Sequence, residues 1–328
     1  MAAAIRIEAL TKDYPVGFWR KRLYRALDRL SLEIDKGEVF GFLGPNGAGK
    51  TTTLKLLMQL TYPTSGRAEI LGRPAGDLAT RHRIGYLPEN PYFYDYLTAE
   101  ELLHYFGRLF GYGAADRRTR VNALLDLVGI GGERRLQLRK FSKGMLQRVG
   151  IAQALLNDPE VIFLDEPMSG LDPLGRRDVR KLILGLREQG RTVFFSSHIL
   201  ADAEALCGRV AIMAKGRLAA EGRLSDLLAF QARGWEMVVA GLTPDAMERI
   251  AARVRGATQI AAGRYTLELA LDQPPEGLLP DLASCGASLV SVNPLRESLE
   301  DFFMQRVAEA GHGARTTESE KSRSLEKT

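Results

Sequence analysis

The chain has 328 residues, room for roughly two domains of about 150 residues each, and its 45% hydrophobic and 26% charged composition is that of an ordinary globular protein. No run reaches the roughly 18 to 20 apolar residues of a bilayer-spanning helix, and MAAAIRIEAL is too short and too soon charged for a signal peptide, so a cytosolic chain is expected. The net charge of +5 fits a protein that works near anionic lipid, nucleotide or nucleic acid, and it fits a well-solvated surface equally.

Near the start, TKDYPVG is followed by FWRKRLYR, which carries four cations and three aromatics. The latter reads as a solvated hairpin loop, with a lipid or nucleotide contact as the alternative. VFGFLG (39 to 44) then reads as a buried strand feeding a glycine loop, and TTLKLLMQL (52 to 60) as the helix behind it.

The loop between them, GPNGAGKT (44 to 51), fits the phosphate-loop pattern in the strand-to-helix setting that the pattern requires. Gly44, Gly47 and Gly49 would let backbone N–H groups surround phosphates, with Pro45, Asn46, Ala48 and Thr52 completing the cradle. Lys50 would neutralise the β- and γ-phosphates, and the Thr51 hydroxyl would serve magnesium.

RIGYLPE is a further strand, and TAEELLHYFGRLFG is a helix capped by Thr98. Between them lies NPYFYDYL, with Tyr92, Phe93, Tyr94 and Tyr96 on a segment that suits either core packing or a partner helix. FSKGMLQRV (141 to 149) places Ser142 at a helix N-cap and Gly144 in the first turn, so hydroxyl and backbone N–H groups can grip an anion there. One nucleotide already fills the phosphate loop of the same chain. The turn is therefore read as closing over a nucleotide held by a second copy, head to tail.

VIFLDE is a near-continuous apolar strand ending in two acids. Asp165 would hold magnesium through water and Glu166 would polarise the attacking water, against the plainer reading of Glu166 as a capping or salt-bridging acid. TVFFSSH ends a further strand at His198, where an imidazole would lie over the γ-phosphate, since ligands of open α/β sheets sit at strand ends. Apolar strands separated by helices imply a largely parallel sheet covered on both faces.

The pattern changes after GRLSDLLAFQARGW, which reads as a helix ending at Gly234. EMVVAGL, TPDAMERIAARV, ATQIAAG, RYTLELAL, PEGLLPDLASCG, ASLVSVNPL and SLEDFFMQRVAEA read as β, α, β, β, α, β and α, a small α+β domain for which a ferredoxin-like topology is one candidate. The expected division is 1–225, 226–310 and a disordered tail over 311–328. Cys207 and Cys285 stand far apart with no metal spacing and read as two buried thiols.

Taken in order, these motifs resemble the nucleotide-binding subunit of ATP-binding cassette (ABC) transporters, over residues 5 to about 220. GPNGAGKT looks like the Walker A loop, VIFLDEP like Walker B, SGLDP (169 to 173) like the D-loop and His198 like the switch histidine. FSKGMLQRV resembles the signature LSGGQ, with Lys143 and Met145 departing from it, so only Ser142 and Gly144 carry over. Glu89 stands where most members have the glutamine of the Q-loop; it can still accept from water or ligate magnesium, but it cannot donate.

The resemblance implies a phosphate-loop ATPase with a parallel-sheet core, an antiparallel β subdomain and a helical subdomain. ATP and Mg2+ are the implied cofactors, Tyr14 is the aromatic expected on adenine, with Phe18 and Trp19 close by as alternatives and a core aromatic as the competing reading, and no nucleic acid is expected as a partner. SKGM and LPE look like the branch that serves ABC-2-type exporter permeases of drugs, lipids or polysaccharides, or like the nitrous-oxide-reductase maturation ATPase. The implied partners are a second copy and a membrane permease docked near Glu89, Tyr92 and Phe93, at the inner face of the cell membrane. A soluble ABC ATPase acting on ribosomes or DNA is the alternative from another class, and a generic phosphate-loop kinase or switch is a second.

Overall fold

The computed structural model describes residues 3–17, 22–229 and 232–296. They fall into two compact units divided between Leu224 and Ser225.

The first unit begins with a long antiparallel ribbon, β1 (Ala3–Val16) and β2 (Arg22–Asp35). β3 (Val39–Leu43) is buried at all five positions and leads through the glycine loop into α1 (Lys50–Leu57). β4 (Ser65–Ile70) and β5 (Arg73–Pro74) extend the ribbon into a four-stranded antiparallel sheet of order β2-β1-β4-β5. The short α2 (Leu78–Arg81), capped by Asp77, then returns the chain to β6 (Ile84–Leu87).

A helical segment follows: α3 (Ala99–Leu109), α4 (Ala114–Leu127) and α5 (Lys143–Ala154). α3 starts at the predicted cap. The Thr98 hydroxyl accepts from the Glu101 N–H while the Glu101 carboxylate accepts from the Thr98 N–H, a reciprocal box that satisfies two orphan donors. β7 (Val161–Asp165) and β8 (Thr192–Ser197) flank α6 (Pro173–Glu188), which Asp172 caps with Pro173 at its first position.

α7 (Leu200–Leu206) leads to the antiparallel pair β9 (Arg209–Ala214) and β10 (Arg217–Arg223). The central sheet runs β10-β9-β3-β8-β7-β6, parallel from β9 to β6. β3, β7 and β8 are buried throughout, as their unbroken apolar runs require, in a core shared with Leu54 and Leu57 of α1 and with Ile5, Leu27 and Leu30 of the ribbon. Phe40, Phe42, Phe163 and Phe194 stack through the middle of the core.

α8 (Leu224–Ala229) begins on the last described residue of the first unit, and the second unit continues with β11 (Ala232–Ala240), α9 (Pro244–Ile250), β12 (Gly256–Ala261), β13 (Arg264–Ala270), α10 (Leu279–Ser284) and β14 (Ser288–Arg296). The antiparallel order β12-β13-β11-β14 with two helices is the ferredoxin-like arrangement expected from the sequence. Met237, Val239, Leu267 and Leu269 form its core against Ala246, Ile250 and Leu282 of the helices.

Three expectations change. The helix read as ending at Gly234 ends at Ala229, and Gly234 lies inside β11, paired with Ala270 and Leu295. Arg22 to Arg25, read as loop, belong to β2. Cys207 is buried but Cys285 is only half-buried. The last predicted helix (298 to 310), the tail, Phe18 and Trp19 lie outside the described residues.

Candidate active site

The phosphate loop takes its shape from glycine at positions where side chains fail for different reasons. Gly49 has φ 103°, a left-handed conformation, and a Cβ there would stand 2.8 Å from the Ala26 carbonyl oxygen. Gly44 is needed for space instead of conformation: its Cβ would meet the Met213 carbonyl oxygen at 2.7 Å. The loop is thereby pressed between β2 and the end of β9, and α1 begins directly behind it at Lys50.

The Lys50 ammonium is buried, donates to the Gly44 carbonyl at 2.6 Å, and lies 3.3 Å from Glu166 Oε1. Glu166 Oε2 in turn lies 2.8 Å from His198 Nδ1. Lysine, glutamate and histidine thus form one line across the carboxyl ends of β3, β7 and β8. Glu166 has φ 50°, rare for a side chain of this size, and its N–H is held by the Ser196 carbonyl and hydroxyl at 3.2 and 3.1 Å. Strain of this kind persists only where the surroundings enforce it, and it gathers at functional sites.

Asp165 lies below, buried, accepting from the Ser196 hydroxyl at 2.5 Å and from Thr51. Burial pushes its carboxyl above the usual range, Ser196 and Thr51 oppose that, and the neighbouring Glu89 and Glu166 charges add to it. Asp165 Oδ2 is buried without a hydrogen-bond partner, and Glu166 Oε1 has only the lysine ammonium.

A divalent cation fits this donor set: an orphaned carboxylate oxygen beside a threonine hydroxyl, with excess negative charge from Glu89. Among the described residues no three or more His, Cys, Asp or Glu side chains cluster as a metal cage. Mg2+ takes one or two carboxylates and completes its shell with waters and substrate phosphates.

An open cleft of about 420 Å³ lies over the loop, lined by Pro45 to Thr52, Glu89 and Glu166 on one side and by Tyr14, Tyr24 and Ala26 on the other. Tyr14 and Tyr24 are direct partners across the ribbon. Tyr24 is the residue that sequence reasoning missed, because FWRKRLYR carries no strand signal in its charged half; only its pairing with TKDYP exposes it.

Not all predicted residues converge. Ser142 caps α5, its hydroxyl accepting from the Met145 N–H at 3.2 Å, with Gly144 in the first turn as expected. Neither lines the cleft. Tyr92 is 99% exposed, whereas Phe93 is half-buried near Gly150 of α5. A larger groove of about 610 Å³ between α4 and α6, lined by Arg120, Leu124, Leu155 and Leu186 among others, includes none of these residues.

A phosphate loop at the head of a parallel sheet, with two acids at the end of a neighbouring strand, defines a phosphate-loop nucleoside triphosphatase. The sequence pattern of the family described as ABC transporter matches residues 27–169. The chain is 48% identical to an ABC transporter ATP-binding protein of Synechocystis sp. over 92% of its own length and 84% of the relative's. It is 40% identical to the bacitracin transport ATP-binding protein of Bacillus licheniformis over 67% of its length and 70% of that protein's.

Its fold is similar to a dimeric, post-hydrolysis structure of the ATP-binding cassette MJ0796 bound to ADP and Pi. The TM-score there is 0.62 at 28% identity, covering 67% of this chain and 98% of that one. The chain belongs to the ATP-binding subunits of ABC transporters, and it is an ATPase.

Proposed function

We propose that two copies of this chain enclose two ATP molecules and drive a separate ABC-2-type permease, for export, from the cytoplasmic face of a membrane. The observation that carries the reading is the separation of two anion-binding turns within one chain. The Lys50 loop opens onto the cleft while Ser142 and Gly144 face elsewhere, so Ser142 and Gly144 need a nucleotide from a second copy.

MJ0796 is a dimer in two solved structures that this fold resembles. Relatives named for export support the direction. One is the fluoroquinolones export ATP-binding protein of Mycobacterium tuberculosis, 39% identical over 66% of this chain and 69% of that protein. Among the described residues no helix is long and apolar enough to cross a membrane, so the translocating segments belong to a partner in this reading.

Within each site the Lys50 ammonium leaves the Gly44 carbonyl for the β- and γ-phosphates. Glu166 takes the proton of the attacking water, and His198 holds Glu166 through Nδ1 while facing the γ-phosphate. Thr51, Asp165 and Glu89 would hold Mg2+, which when bound would neutralise phosphate charge. Tyr14 and Tyr24 receive the adenine. Residues 1–225 are the motor, 226–310 an accessory domain, and Tyr92 with Phe93 the seat of the permease beside Glu89.

Purification of the tagged chain from detergent-solubilised native membranes tests this. A co-purifying polytopic membrane protein of the ABC-2 type is expected; recovery with ribosomes or DNA, and no membrane protein, would overturn the permease reading.

A further inference from the structure

The ribbon that carries Tyr14 and Tyr24 is not a regular hairpin where it crosses the phosphate loop. From Leu10 to Asp13 β1 advances three residues while its partner β2 advances five, from Leu30 to Arg25. The surplus residues are bulges, and Arg29 has φ 49°. In regular β2 every second residue is buried, but Ala26, Leu27 and Asp28 are buried in succession. Bulges re-aim a strand. They also leave the surplus residues out of the ladder, which becomes regular again only from Asp13 and Arg25 onward.

A buried carboxylate sits at this irregular stretch. Asp28 is 7% exposed, and three guanidinium groups converge on it: Arg217 at 2.7 Å, Arg25 at 3.4 Å and Arg29 at 3.6 Å. Arg25 also forks onto Asp13, the neighbour of Tyr14, at 2.9 and 3.1 Å. Arg217 opens β10, next to Gly216 in the tight turn after β9.

The backbone completes the connection. The Asp28 N–H donates to the Gly216 carbonyl at 2.8 Å, and the Gly216 N–H donates to the Ala48 carbonyl of the phosphate loop at 3.0 Å. The Ala26 carbonyl lies against both Gly49 and Gly216, where a Cβ on either would stand 2.8 Å away. One residue, Gly216, therefore joins the phosphate loop to the bulged strand through its N–H and its carbonyl, and Asp28 locks that join through Arg217.

We infer that Asp28, with Arg217, is a positioning residue for nucleotide affinity: it sets the two tyrosines at the height of a purine above the phosphate loop. The inference rests on the proposal that Tyr14 and Tyr24 receive the base. Removing the lock should cost the base contact and spare the phosphate contact, a split that general loosening of the fold would not produce.

The experiment compares ATP with inorganic tripolyphosphate, which lacks a base, as ligand and competitor of the full-length protein. Asp28→Asn and Arg217→Met are expected to raise KM for ATP about tenfold, a fraction of what base stacking supplies. kcat and the inhibition constant of tripolyphosphate should stay within about twofold of wild type, and Arg217→Lys should recover most of the loss.

Arg217 is 61% exposed, so its variants keep the test available if Asp28→Asn does not fold. An unchanged KM in Arg217→Met, or a parallel loss of ATP and tripolyphosphate binding, would overturn the inference. The double variant Tyr14→Ala/Tyr24→Ala separates the two layers. If it leaves KM unmoved, the base-contact reading falls and the inference with it; if it raises KM while Arg217→Met does not, only the inference falls.

Discussion

Asp165 and Glu166 are neighbours in sequence and opposites in environment. Asp165 is buried with one oxygen unpartnered, whereas Glu166 is tied to Lys50 and His198. A carboxyl whose folded pKa is raised costs stability at every pH above its unfolded value, because the folded state holds the proton longer. Asp165→Asn should therefore raise the melting temperature of the EDTA-treated protein at neutral pH, by thermal unfolding followed across a pH series. The gain should vanish below the carboxylate range, and a lower melting temperature at neutral pH would contradict it. The phosphate loop and the acid pair were legible in sequence because each is contiguous. Ser196, which holds both acids, was not, because its role depends on β8 lying beside β7.

At the scale of elements, local signals succeeded where they were strong and failed where pairing decided. Thr98 and Glu101 spell a capping box, and α3 begins there. Thr98→Ala should cost about 1 kcal/mol in a denaturant titration with ATP turnover unchanged, whereas a cost near zero would mean that packing alone sets the start of α3. Gly234, by contrast, looks like a helix terminator after an apolar run. It lies in β11 because strands on both sides pair with it, information that no window around residue 234 contains. The same holds for Arg22 to Arg25, whose charges suggested loop and whose partner strand is β1. In the second unit alternation was regular, and the ferredoxin-like order was readable from it.

At the scale of the molecule, the two units differ in what they tell. The first carries every residue of the cleft; the second has a formed core of its own, around Met237, Val239, Leu267 and Leu269. In the proposed dimer a second copy supplies Ser142 and Gly144 to the cleft above Lys50. Sedimentation velocity of Glu166→Gln with and without Mg-ATP tests this most directly, since a slowed hydrolytic step lets the closed state accumulate. The account predicts a monomer that becomes a dimer on adding Mg-ATP, and a Glu166→Gln/Ser142→Arg variant that binds ATP and stays monomeric. A Glu166→Gln protein that binds ATP and shows no change in mass would contradict it.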